Sequence, residues 1–329
     1  MNTTWKQFLL DRKALGSDES PKLSPAADNT GRKSIYPLVH LGVLKVSGND
    51  AAKLLQGQIT CNVNDINETR SSFAAMCNPK GRAIATFLLV KQADGFLLVL
   101  PVELMETVQK KMQMYVLRSD AKIEDVRDAI CLVGLCEPGH AVQPFVTETQ
   151  DKIVCVNFPG STSRNIVLTD ADTAIQIWLG HVDSKGFIQA GADEWRMHDI
   201  LSGIPWLTTT TSEEFVPQMF NLDKIGGISF NKGCYTGQEI VARTHYLGKA
   251  KREMLLAKCL TVALPEPNAT ILNRDSDPPE VVGKVLQAQH DGQSCKMLVV
   301  LQTTEGHFNN LGLANDDQAR LTLLPLTYD

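Results

Sequence analysis

A thiol, a lysine and four glycines share one run of eighteen residues, Gly226 to Arg243, with the sequence GGISFNKGCYTGQEIVAR. Cys234 offers a nucleophilic or metal-facing sulfur, and the ammonium of Lys232, two residues earlier, favours the thiolate form. Thr236 and Glu239 have the Thr-x-x-Glu spacing of a capping box, which predicts a helix from about Gly237 to Thr244. A helix starting there sets the positive end of its dipole just beyond Cys234, a second influence on the thiol and a place for a carboxylate or phosphate. Gly226 and Gly227 predict a turn, Ile228 to Phe230 a short strand, and Gly233 a second turn with positive φ or a close neighbour. The same residue types also suit a plain turn around a structural, buried cysteine, and spacing alone leaves both readings open.

A second cluster, Leu55-Gln56-Gly57-Gln58-Ile59-Thr60, follows a short predicted helix. The amides of Gln56 and Gln58 each carry donors and an acceptor, so they can read the edge of a heterocycle; a helix end followed by a turn explains them equally. Asn78 and Lys80, in the turn Asn78-Pro79-Lys80-Gly81, are likewise ligand contacts or turn residues. His245 stands at the far end of the predicted helix, about 10 Å from Cys234, too far for a nucleophile pair. Arg196 and His198 read as solvated-face residues of another helix. There is no Gly-x-Gly-x-x-Gly, phosphate-loop lysine motif or Gly-x-Ser-x-Gly, which removes the common nucleotide and hydrolase readings.

The elements that must hold these clusters follow from periodicity. Strands are predicted at Leu38 to Val46, Ser71 to Met76, Ala83 to Val90 and Phe96 to Val102, the last two forming a hairpin over Ala93-Asp94-Gly95. Short helices are predicted at Ala51 to Gln56, Val102 to Tyr115, Asp172 to Leu179 and Ala192 to Leu201. Further strands fall near Lys122 to Val126, Ala129 to Cys136, Ile153 to Asn157 and Asn165 to Leu168, and Trp206 to Phe215 reads as a loop. This grammar is α+β rather than doubly wound. Beyond Lys249 only short strands between turn-rich punctuation remain, which predicts a small β-barrel or sandwich. The chain therefore divides into an arm over 1–34, polar from Gly16 to Ser34, an α+β region over 35–247 and a β domain over 248–329. In the arm, Trp5, Phe8, Leu9 and Leu10 form an amphipathic turn able to dock on the body.

Composition limits the function. The 329 residues carry 32 Lys+Arg against 37 Asp+Glu, a net charge of −5 that argues against non-specific nucleic-acid binding. The eight scattered cysteines include no Cys-x-x-Cys pair and read as reduced thiols, and Cys131 with Cys136 lack the partners a zinc site needs. No signal peptide and no apolar run near the ~20 residues of a membrane span is seen, so a cytoplasmic location is expected.

The octapeptide Lys232-Gly233-Cys234-Tyr235-Thr236-Gly237-Gln238-Glu239 resembles the signature of the YgfZ family of folate-binding proteins. Leu55 to Thr60, Asn221-Leu222-Asp223 before Gly226, and Trp195 to Pro205 are similar to further recurrent stretches of that family. The family is related to the glycine-cleavage aminomethyltransferase, or T-protein. The resemblance implies two ferredoxin-like α+β domains and a C-terminal β-barrel, in a ring around a central folate channel. It implies tetrahydrofolate or another reduced folate as cofactor and support of iron–sulfur enzymes, including radical enzymes that thiomethylate tRNA. By position, Cys234 is the reactive thiol, and Lys232, Gln56, Gln58, Asn78, Glu239 and Arg243 are candidate folate contacts, with Lys232 and Arg243 near the glutamate tail. The alternative within the superfamily is folate-dependent aminomethyl or one-carbon transfer. The aspartate pair that T-proteins carry after the Asn-x-x-Gly turn falls on about Ala85 and Thr86 here, neither of which can move a proton at neutral pH. Direct tRNA binding is the remaining alternative, weakened by the acidic balance.

Overall fold

The computed structural model describes residues 1–15, 31–117, 119–139, 142–246, 248, 250–261, 263–292, 294–302, 308–326 and 328. Most of the polar stretch from Gly16 to Ser34 lies outside the described residues. In chain order the first elements are α1 (Thr3–Asp11), β1 (Ser34–Pro37), β2 (Leu41–Ser47), α2 (Ala51–Gln56), β3 (Ser72–Cys77), β4 (Ala83–Gln92) and β5 (Gly95–Pro101). Next come α3 (Met105–Gln113), β6 (Lys122–Asp125), β7 (Cys131–Glu137), β8 (Thr147–Gln150), β9 (Ile153–Phe158) and β10 (Ser163–Thr169). They are followed by α4 (Ala171–Leu179), β11 (Ile188–Gln189), α5 (Ala192–Leu201) and α6 (Gln238–Tyr246). The chain ends in β12 (Arg252–Cys259), β13 (Thr270–Asn273), β14 (Glu280–His290), β15 (Cys295–Gln302), β16 (Leu311–Leu313) and β17 (Asp316–Leu324).

Two compact units result. The first comprises Met1–Leu55, Asn62–Phe73 and Phe87–His198. It contains the six-stranded sheet β11-β1-β7-β10-β9-β8, in which β1 is parallel to β11 and antiparallel to β7. In β9 alternate residues Val154, Val156 and Phe158 turn inward, the period-two pattern of a half-buried strand. α4 packs on β7, its start capped by the Asp170 side chain, which accepts from Thr173 N at 2.9 Å. α1 packs on α4, capped by Asn2, whose Oδ1 accepts from Thr4 N and Trp5 N. Trp5 and Leu9 are buried, and Trp5 meets Trp178 edge-on at 5.6 Å. The amphipathic turn read in the sequence thus becomes a docked helix. A five-stranded sheet runs β3-β4-β5-β2-β6, and α3 packs on β2 and β6 through Met105, Val108 and Met112. α3 is shorter than expected, because Val102–Leu104 forms a 3₁₀ turn after Pro101.

The second unit comprises Gln56–Cys61, Ala74–Thr86 and Asp199–Asp329. Its largest element is a closed barrel, β12-β15-β14-β13-β16-β17, with β12 pairing both β15 and β17 so that no edge is left open. Ile271, Val285, Met297, Val299 and Leu301 fill its interior. The loop over Trp206–Phe215 is folded on itself by threonines: Thr208 N donates to Thr211 Oγ1 at 2.8 Å, and Thr211 is buried. Trp206 Nε1 donates to the buried Asp199 carboxylate at 2.9 Å.

Two local expectations fail. Ile228 to Phe230 forms no strand, because the pairing of this stretch consists of single bonds with Thr60, at Gly227 O and Ser229 N, rather than a ladder. His198 is no solvated-face residue: it lies half-buried, 3.5 Å from the Tyr36 hydroxyl, and burial, with Arg164 nearby, pulls its pKa down to about 4. No helix among the described residues is long and apolar enough to cross a membrane.

Candidate functional site

The site is built by three segments of the second unit: Gln56–Cys61, the β3–β4 turn, and the loop that leads from Gly226 into α6. Thr60 joins all three. Its amide donates to Ala75 O at 3.0 Å and its hydroxyl accepts from Ala75 N at 2.9 Å, while that hydroxyl donates to Gly227 O at 2.6 Å. Ser229 N returns a bond to Thr60 O, and Thr236 N donates to Gly57 O at 3.1 Å. The two motif stretches singled out in the sequence, about 170 residues apart, are therefore one sewn corner.

Lys232 is the clamp. It is 9% exposed, and its Nζ donates to Ile59 O and Cys61 O, both at 2.8 Å. The ammonium also lies 5.0 Å from the Tyr235 ring centroid. Burial lowers its pKa to about 8, and the two carbonyl bonds act the other way by favouring the charged form. Nothing in the local sequence signals this role, since both acceptors are backbone groups in a distant segment.

Cys234, in contrast, is exposed. Of the remaining cysteines Cys155 is half-buried and the others buried, and the protein contains no disulfide. The two influences expected on the Cys234 thiol sit differently from the sequence reading. The Lys232 ammonium is committed to carbonyls, and α6 begins at Gln238 with three residues intervening. The expected capping box is absent, because the Thr236 hydroxyl donates to Gln58 Oε1 at 3.2 Å. Gln238 Oε1 instead accepts from Tyr235 N at 3.3 Å.

Glycine is required where the β3–β4 turn meets the start of α6. Gly237 has φ +85°, and a Cβ there would stand 2.5 Å from Asn78 O and 2.9 Å from Gly81 Cα. Gly81 has φ +71°, and its Cβ would fall 2.7 Å from Ile240 Cβ. Gly233 meets neither condition expected of it: its φ is not positive and open space surrounds it.

The remaining candidates are placed as follows. Gln58 is buried and Gln56 half-buried. Asn78 is committed to its turn: Oδ1 accepts from Lys80 N at 2.9 Å and Arg82 N at 3.1 Å, and Nδ2 donates to Glu213 Oε2 at 3.2 Å. Glu239 and Arg243 face solvent on α6 and pair with each other at 3.1 Å, a contact worth little in water. His245 stacks on Phe230 with centroids 3.7 Å apart. Ala85 and Thr86 are both buried; Thr86 Oγ1 donates to Pro205 O at 2.7 Å and accepts from Leu207 N at 3.1 Å. A hydroxyl bridging two backbone groups is a staple in the second unit, with no proton to give to a substrate.

Comparison with known proteins follows this geometry. The tRNA-modifying protein YgfZ of Colwellia psychrerythraea is 31% identical over 309 residues, covering 89% of this chain and 93% of that protein. The chain belongs to the YgfZ family. The YgfZ of Photobacterium profundum is 30% identical over 92% of this chain and 94% of its own length. That of Klebsiella pneumoniae is 28% identical, over 94% and 97%. The GCVT N-terminal domain family matches residues 32–182. Among solved structures, the glycine cleavage system aminomethyltransferase T of Bartonella henselae aligns with a TM-score of 0.75, covering 98% of this chain and 96% of that one at 11% identity. That likeness establishes the T-protein-like α+β and barrel fold expected from the sequence.

Proposed function

We propose that this protein binds a reduced folate, tetrahydrofolate or a close derivative, and serves tRNA modification by supporting iron–sulfur enzymes such as those that thiomethylate tRNA. The observation that carries the reading is the separation of roles in the octapeptide. A buried lysine fixes the backbone from below, and this presents the Cys234 thiol to solvent on a corner that glycines keep rigid. Relatives named as tRNA-modifying over nearly their whole length support the tRNA part. Eight thiols without a disulfide suit work in a reducing compartment such as the cytoplasm.

The residues present fit a folate in chemical type. Its pterin edge offers donors and acceptors for the Gln56 and Gln58 amides, and its glutamate carboxylates suit exposed cations such as Lys80 and Arg243. Lys232 contributes by holding Ile59 and Cys61, the segment that carries Gln58. Aminomethyl transfer is the weaker reading, since buried Ala85 and Thr86 occupy the positions where the resemblance locates its aspartates.

Two measurements test this. Calorimetric titration of the wild type with several reduced folates should show saturable binding, and its absence with all of them would remove the folate claim. In cells, Cys234→Ala should abolish tRNA thiomethylation while leaving folate binding in vitro intact. Unchanged thiomethylation would remove the role of the thiol.

A further inference from the structure

Three rings meet at the surface of the second unit where α6 ends. His245 lies on Phe230 with centroids 3.7 Å apart and planes 13° from parallel, so one face of the imidazole is covered. Tyr246 stands 4.8 Å from His245 with its plane turned by 79°, and 6.3 Å from Phe230. These three separations set the direction to Tyr246 nearly at right angles to the direction to Phe230. The phenol is therefore beside the imidazole and not over its far face. His245 is nonetheless exposed, and Tyr246 is 64% exposed, so the rings form a step with an imidazole floor and a phenol wall. Single exposed apolar side chains need no explanation, but grouped aromatic surface marks a binding site.

The chain that carries two of these rings is basic. Residues 240–252 contain Arg243, Lys249, Lys251 and Arg252 and no Asp or Glu, in a protein whose net charge is −5. Arg243 is paired with Glu239, whereas Arg252 makes no ion pair among the described residues. Arg252 and His245 line one pocket of about 520 Å³, which brings a free guanidinium to the imidazole side of the step. Of the carboxylates on the same pocket, Glu253 is held by Lys224, and Asp223 can accept from an exocyclic base amine.

We propose that the Phe230–His245–Tyr246 step binds an unpaired base of single-stranded RNA, stacked on the open face of His245 against Tyr246, with Arg252 taking a neighbouring phosphate. Unpaired RNA presents the faces of its bases, which stack on aromatic side chains, while a duplex hides them. An acidic peptide or an anionic membrane would use the cations but leaves the open ring face without a purpose. The net charge of −5 argues against binding through phosphates alone, and stacking supplies attraction that does not depend on net charge. The choice of RNA rests on the tRNA part of the function proposed above; the rings and their charge do not.

Fluorescence anisotropy on the full chain tests this with a short labelled RNA that cannot pair with itself, the same backbone without bases, and a duplex of the same length. The single strand should bind at low salt, and the abasic backbone and the duplex should each bind at least about fivefold more weakly. Tyr246→Ala and His245→Ala should each cost the single strand at least about fivefold. Arg252→Gln should reduce the slope of log affinity against log salt by about 0.7, the share of one phosphate. Tyr115→Ala, at an exposed tyrosine of the first unit, should change nothing. Absence of binding, or equal binding of the abasic backbone or the duplex, overturns the proposal without any variant. Unchanged affinity in Tyr246→Ala overturns it too, since a side chain 64% exposed can be removed without unfolding the protein. Loss of folate binding in the ring variants would assign the rings to the folate site instead and would also overturn it. Failure to bind RNA leaves the wild type's folate titration untouched, so the two readings fall separately.

Discussion

Replacing Lys232 with methionine separates scaffold from chemistry. The variant keeps the length and apolar stem of the side chain but loses both bonds to Ile59 O and Cys61 O. Each hydrogen bond to a charged group is worth about 1.5–3 kcal/mol. Against them stands the burial of the ammonium, since its pKa of about 8 lies well below the ordinary 10.5. That gap corresponds to about 3 kcal/mol, and to about 2 kcal/mol once partial access of water is allowed for. The pKa is lowered with both bonds in place, so near neutral pH the burial of the charge offsets much of what the bonds contribute, and Lys232→Met should cost no more than about 2 kcal/mol. The pH dependence is the sharper signature. Between pH 8 and 10.5 the unfolded chain keeps a proton that the folded chain has lost, so the lysine's contribution to stability rises with pH through that window. The advantage of wild type over Lys232→Met should therefore grow by about 2 kcal/mol from below pH 8 to near pH 10.5. Urea unfolding of both proteins side by side measures it, and the subtraction removes the other alkaline titrations. A difference that stays flat or shrinks as pH rises would mean that Lys232 is not a buried clamp.

Other substitutions probe the same construction. Gly237→Ala should cost about 3 kcal/mol or more by urea unfolding, because its Cβ meets the backbone of Asn78 and Gly81, which cannot yield, at a positive φ. Thr86→Val keeps the shape of the side chain but strips donors and acceptors from Pro205 O and Leu207 N, and should cost about 1–3 kcal/mol. Trp5→Ala empties the site that α1 fills against Trp178 and should cost about 3–5 kcal/mol of docking, seen as faster proteolysis around residues 1–15. Cys234→Ser, at an exposed position, should leave the unfolding midpoint within about 0.5 kcal/mol of wild type.

The sequence was most legible where structure is local. α2 and α5 fall on their expected spans, because an apolar periodicity meets turn residues at both ends, and the β4–β5 hairpin follows from its Asp-Gly turn. β11 and β16, of two and three residues, carry too few side chains to show a period and exist only through their partners. The capping box failed for a related reason: its Thr-x-x-Glu spacing is real, yet Gln58 outbids the helix for the Thr236 hydroxyl from a distant segment.

The same distinction divides the octapeptide. Residue types and spacing marked Lys232 and Cys234 together as a lysine activating a thiol, and that pairing is local. The long-range contacts break it apart. Lys232 turns inward to Ile59 and Cys61, while Cys234 remains at the surface with Tyr235 packed beside the buried ammonium. A loss of function at Lys232 is then explained by a collapsed corner, whereas one at Cys234 is not, because the exposed thiol supports no neighbour that its removal would release. Only the cysteine variant reports on chemistry, and only the pH-resolved lysine variant reports on the frame that presents it.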